Sequence, residues 1–166
     1  MFLKKGYFHV VQAKTGLFLS TNGTTEEGTK ITVKDKAEDD TQVWGFENGQ
    51  LISKNSSLVL DIEGGDLRVG KKLIQYGRKK TMAHNQRWGI RNGYIYASAD
   101  PRLVLEDNSE ASGSQIVTSV RKVEENDFQQ WKIVPYKEVT KEEQKEEEEE
   151  QEEEQEEEQE EEQEEE

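Results

Sequence analysis

The sequence predicts an all-β domain of three equivalent four-stranded units, closed as a barrel with pseudo-threefold symmetry and followed by a disordered acidic tail. Three rows of residues in register predict the repeat, which is sought first because a missed repeat misassigns a whole fold. Gln42-Val43-Trp44-Gly45-Phe46, Gln86-Arg87-Trp88-Gly89-Ile90 and Gln129-Gln130-Trp131-Lys132-Ile133 share the pattern Gln-x-Trp-x-apolar, with tryptophans 44 and 43 residues apart. Leu17-Phe18-Leu19-Ser20, Leu58-Val59-Leu60-Asp61 and Leu103-Val104-Leu105-Glu106 form a second row, at intervals of 41 and 45 residues. Lys30-Ile31-Thr32-Val33, Lys72-Leu73-Ile74-Gln75 and Gln115-Ile116-Val117-Thr118 form the third.

Within each unit the apolar residues come in runs of four to six, rich in Val, Ile, Leu, Phe and Tyr and bounded by Gly, Asn, Asp and Ser, which is the pattern of short strands. In the second unit these are read at 50–53, 57–62, 72–76 and 87–90. Asn48-Gly49 and Asn92-Gly93 sit between such runs, where a type I′ turn with positive φ at both residues favours Asn-Gly and makes hairpins. No stretch of residues 1–140 keeps a helical period over ten residues. One unit alone cannot bury its apolar face, and closing the sheet removes its open edges.

Charge separates this body from the tail. The 166 residues carry a formal charge of −15, yet residues 141–166 hold 19 Glu and 2 Lys, while residues 1–140 hold 20 basic and 18 acidic side chains. All 51 apolar residues lie in the first 140. The boundary is placed between a domain at 1–137 and a Glu/Gln-rich low-complexity segment at 138–166. With no apolar group and like charges at i, i+4, that segment is expected to be disordered at neutral pH.

Zero cysteine excludes a disulfide scaffold, a Cys-ligated zinc site and a thiol nucleophile, and fits a reducing compartment. No signal-peptide pattern begins the sequence and no run is long enough to cross a bilayer, so a cytoplasmic protein is expected, although unconventional secretion leaves no mark in a sequence. Neither a nucleophile with its base, a phosphate-cradling glycine loop nor metal-spaced ligands is found. The expectation is a protein that is not an enzyme and uses no cofactor, metal or catalytic residue.

The Gln-x-Trp units, each preceded by a Leu-x-Leu strand, resemble the ricin B-type lectin domain, a β-trefoil family, over roughly residues 5–136. The resemblance implies a six-stranded barrel capped by three hairpins, with up to three shallow sugar sites, one per unit. It implies a structural role for Gln42, Trp44, Trp88, Gln129 and Trp131, the indoles filling the core and the glutamines pairing buried backbone groups.

A galactose-type site in this family needs four things: a carboxylate after the Leu-x-Leu strand to accept from adjacent hydroxyls, an aromatic ring for the apolar face of the pyranose, an Asn before the motif Gln to offer its amide to the same hydroxyls, and that Gln to close the set. The second unit has all of these in Asp61, Tyr76, Asn85 and Gln86, with Gly64-Gly65 where the sugar-contacting loop turns. The first unit has Ser20, Lys34 and Thr41 instead. The third has Glu106, an aromatic slot falling near Val120 or Arg121, and Phe128. The implied partner is a glycan or glycoconjugate with terminal galactose or N-acetylgalactosamine, bound in the second unit.

Other readings of the same residues stay open. Asp61 is also an ordinary turn carboxylate, Tyr76 a half-buried strand aromatic and Asn85-Gln86 a loop closure. The alternative function is a protein-interaction trefoil with lapsed sugar binding, whose acidic tail recruits basic proteins such as histones. Lys71, Lys72, Arg78, Lys79, Lys80, Arg87 and Arg91 could attract polyanions, but the tail repels phosphate, so nucleic acid is disfavoured as a partner. His9 and His84 read as structural or exposed.

Overall fold

The strands follow from where apolar alternation meets turn residues. The computed structural model describes residues 6–137 and 141–165. Among these, twelve strands run in three sets of four: β1 (Phe8–Gln12), β2 (Phe18–Ser20), β3 (Thr32–Lys34) and β4 (Trp44–Glu47); β5 (Gln50–Ser53), β6 (Val59–Ile62), β7 (Leu73–Tyr76) and β8 (Trp88–Arg91); β9 (Tyr94–Ala97), β10 (Asp100–Glu106), β11 (Val117–Val120) and β12 (Trp131–Pro135). The strand expected from residue 57 starts at Val59, because Ser57 takes φ +61° and belongs to the turn. Both Asn-Gly pairs have positive φ at both residues, as a type I′ turn requires.

Six strands make the barrel. β1 pairs with β12, β4 with β5 and β8 with β9, all antiparallel. The seams between these pairs close through Phe8 opposite Trp44, through Trp88 N–H on Gly49 O at 2.7 Å and through Trp131 N–H on Gly93 O at 2.8 Å. The hairpins β2–β3, β6–β7 and β10–β11 cap one end. There Ile31 N–H donates to Leu73 O, Leu73 N–H to Ile116 O and Ile116 N–H to Ile31 O, at 3.0 to 3.1 Å, a ring of three backbone bonds joining the three units. This is the β-trefoil arrangement that the repeat predicts.

The tryptophans hold equivalent core positions. Trp44, Trp88 and Trp131 are 0, 2 and 4% exposed, and their indole N–H groups donate to Leu19, Leu60 and Leu105 O, each at 3.1 Å. Each acceptor is the second leucine of a Leu-x-Leu row. The indole thus fills the core and pairs a buried carbonyl in one placement.

The chain divides into two compact units, Met1–Tyr136 and Lys137–Glu166. The tail departs from expectation: instead of being disordered it forms the 24-residue helix α1 (Lys141–Glu164). Unbranched Glu and Gln lose little rotamer freedom in a helix, and a Lys145–Glu149 pair at 3.9 Å offsets a little of the like-charge repulsion. The helix holds no apolar side chain, so it has no apolar face of its own to bury.

Candidate functional site

The site expected in the second unit is built on the β6–β7 hairpin. Val59 faces Tyr76 and Asp61 faces Ile74, so strand alternation puts Asp61 and Tyr76 on one face, a diagonal step apart. Leu60, Ile62 and Leu73 point the other way into the core. A single 3-10 turn, His84–Gln86, brings Asn85 and Gln86 to Asp61. Asn85 reaches back to the same strand, Nδ2 donating to Ile62 O at 3.2 Å.

Gln86 is fully buried with both ends of its amide in use. Its Nε2 donates to Asp61 Oδ2 and to Gly77 O, each at 2.9 Å. Its Oε1 accepts from Lys79 N–H at 2.9 Å and Gln50 Nε2 at 3.0 Å. The loop bonds recur in the other units: Gln42 spans Asp35 O and Ala37 N–H, and Gln129 spans Val120 O and Lys122 N–H. Loop closure is therefore common to all three glutamines, and the bond to Asp61 is an addition. Glu106 receives a similar bond from Gln129 at 3.1 Å, whereas Ser20 in the first unit accepts from Asn22 N–H instead.

The structure thus gathers Asp61, Asn85 and Gln86 into one hydrogen-bonded cluster and places Tyr76, 41% exposed, on the same hairpin face. Asp61 itself is only 3% exposed. Burial pushes its carboxyl up from the ordinary value, while the Gln86 hydrogen bond and the Lys79 charge pull it partly back. Asn85, 2% exposed, has an Oδ1 that is buried without a hydrogen-bond partner. A buried acceptor left unpaired costs about 1 to 3 kcal/mol unless something donates to it.

His84, read from sequence as structural or exposed, lies 3.1 Å through Nε2 from Gly65 O, tying the Gly64-Gly65 turn to the 3-10 turn that carries Asn85. Gly64 takes φ +81°, a backbone conformation that glycine adopts without strain. In the third unit the aromatic slot is not at Val120 or Arg121. Glu106 faces Val117 as Asp61 faces Ile74, which puts Ser119 where Tyr76 stands. Among the described residues no group of three His, Asp or Glu could hold a metal ion, and no helix is long and apolar enough to cross a membrane.

Comparison with known proteins agrees with this architecture. A model of the ricin-type beta-trefoil lectin domain matches residues 6–131. Tectonin-2 of Physarum polycephalum is 29% identical over 92 residues, 54% of this chain and 26% of its own. Human beta/gamma crystallin domain-containing protein 1 is 32% identical over 107 residues, 62% of this chain and 5% of its own, so the matches span about a quarter of the first relative's length and far less of the second's. Among solved structures, the designed threefold-symmetric protein ThreeFoil superposes with a TM-score of 0.68 at 25% identity, covering 78% of this chain and 99% of that one. The C-half of an earthworm R-type lectin, in complex with GalNAc, does so with 0.68 at 16% identity, covering 79% and 99%. With the family model spanning most of the chain, and its glutamine and tryptophan bonds repeated in all three units, the protein belongs to the ricin-type β-trefoil lectin family.

Proposed function

We propose that the protein is a non-enzymatic carbohydrate-binding lectin with one working site, in the second unit, for a glycan or glycoconjugate ending in galactose or N-acetylgalactosamine. The unpaired, buried Asn85 Oδ1 beside the Asp61–Gln86 pair carries this reading. A sugar hydroxyl supplies the missing donor, and a neighbouring hydroxyl donates to the Asp61 carboxylate. Tyr76 offers its half-exposed ring to the apolar face of the pyranose. Gln86, fully buried and with its amide committed to the protein, orients Asp61 and does not touch the sugar. The GalNAc bound by the structurally similar earthworm lectin lends support.

The test is an NMR titration of the full-length protein with galactose and N-acetylgalactosamine, compared with Asp61→Asn. Asn keeps an oxygen for Gln86 and removes the charge, so the variant should fold while affinity falls roughly ten- to hundredfold, as expected for losing a charged acceptor. Binding undiminished in the variant, or no shifts in the wild type at high millimolar sugar, would leave Asp61, Asn85 and Gln86 as loop closure alone.

A further inference from the structure

Equivalent places in the three units carry different charges, and one of them holds two cations without an acid. Before each hairpin turn or chain closure lies a cross-strand pair: Val134 with His9, Glu47 with Gln50 and Arg91 with Tyr94. Next to the loop carbonyl that the motif glutamine takes lies a cation: Lys36, Arg78 and Arg121. In the first unit Lys36 lies 3.7 Å from Glu38. In the second, Arg78 lies 3.5 Å from Glu47 and donates through Nε to Gln50 Oε1. In the third, the position of Glu47 is occupied by Arg91, and Arg121 instead stacks on Tyr94, 4.9 Å from its ring centroid. Among the described residues neither Arg91 nor Arg121 has an acidic partner.

These two arginines, with Asn92, Tyr94, Tyr96 and Pro101, line an open cleft of about 360 Å³, at the small end of the range for ligand sites. Its aromatic floor is fixed. The Tyr94 hydroxyl donates to Lys122 O and accepts from Asn126 Nδ2, and the Tyr96 ring lies so close over Gly89 that a Cβ there would meet Cζ at 2.2 Å. A neighbouring cleft near Leu67 and Val120 contrasts with it, because Arg68 and Arg102 there lie 3.8 and 3.1 Å from their own aspartates, Asp66 and Asp100.

We propose that the Arg91–Arg121 cleft is a second binding site, for an anionic saccharide: a pyranose bearing a carboxylate or sulfate. The acid group sits between two guanidinium forks whose planar donors match it. The apolar face of the ring lies on Tyr96 and Pro101. That the carrier is a sugar rests on the lectin reading above, whereas the need for an anion rests on the charges alone.

Calorimetric titration of the full chain with glucuronate and glucose 6-sulfate tests this, since their gluco configuration keeps them off a galactose-type site. Both should bind the wild type and weaken with added salt. Binding should fall at least about tenfold in Arg91→Glu, which rebuilds the ion pair of the second unit and so should keep the fold, and in Arg121→Gln. Asp61→Asn should leave it unchanged. Failure of galactose to bind while glucuronate binds would remove the second-unit reading and leave this one standing, and the reverse result would do the opposite. No binding of either acid sugar, or binding that survives both arginine variants, overturns the proposal. So does inorganic sulfate matching the sugars in affinity, which would mark the cleft as an anion site without sugar recognition.

Discussion

Gln86 and Asp61 share one hydrogen bond of 2.9 Å, and it is a point where a structural device common to three units meets a buried carboxylate, as Gln129 meets Glu106 in the third unit at 3.1 Å. Gln42 makes the same loop bonds with no acid beside it. Gln42 and Gln86 therefore allow loop closure to be separated from support of the proposed site.

Gln42→Ala should cost about 2 kcal/mol, because Asp35 O and Ala37 N–H lose their partner, and should leave galactose affinity unchanged. Gln86→Ala should cost more, since Gly77 O, Lys79 N–H, Gln50 Nε2 and Asp61 all lose one, and should also abolish binding. Urea unfolding and sugar titration on both variants measure the two effects. Equal loss of sugar affinity in both would show that the site responds to global stability and not to Asp61.

His9 predicts an acid response. Its ring stacks edge-on against Phe18 and Tyr136, and burial, helped by the nearby Lys36 charge, holds its pKa below the ordinary 6.5. The unfolded chain takes up the proton first, so the stability due to neutral His9 is complete above pH 6.5 and drains away as pH falls through the lower native value. His9→Gln, borrowing the residue that Gln50 supplies at the equivalent place, should be less stable than the wild type at pH 8 through lost ring contacts. That gap should narrow toward pH 5. Stability curves that stay parallel between pH 8 and 5 would show that His9 does not titrate with unfolding.

Deleting residues 141–166 converts a −15 protein into one of +2. The tail holds no apolar residue, so the body should keep its melting temperature while becoming less soluble near neutral pH and gaining retention on heparin. Retention should fade with salt, exposed charges being screened beyond about 10 Å at 0.1 M. Identical heparin elution of the two chains would show that tail charge does not govern polyanion binding, and a large fall in melting temperature would show that the tail stabilises the body.

Much of the scaffold was legible because it is written in residues whose chemistry is local. Asn48-Gly49 and Asn92-Gly93 need no tertiary context to turn, and a tryptophan recurring after Gln-x has one place to go. The site was legible only as a set of residue types. Nothing local says that Asp61 is roofed over by the distant 84–86 turn, or that His84 ties that turn to Gly65. The third aromatic slot was misplaced because counting along a loop ignores the ladder, where Glu106 opposite Val117 fixes Ser119. Glu47 and Arg91 lie in hairpins that look alike in sequence, and the reversal of charge acquires meaning only once Arg78 and Arg121 are seen beside them. The helix of the tail is not legible from charge alone, because repulsion between glutamates opposes it while their backbone preference favours it.

The ring of backbone bonds through Ile31, Leu73 and Ile116 bears on how the chain is made. Each of its bonds joins two different units, so on a ribosome the ring stays open until Ile116 has emerged. The barrel waits longer, since β1 gains its five-residue ladder only when Trp131–Pro135 appears. Until then the apolar faces of the earlier strands have no final cover. Such long-range pairing is slow, and nascent chains with open strand edges are prone to aggregate. A pause in translation placed before residue 131 should therefore lower the soluble yield more than one placed after it.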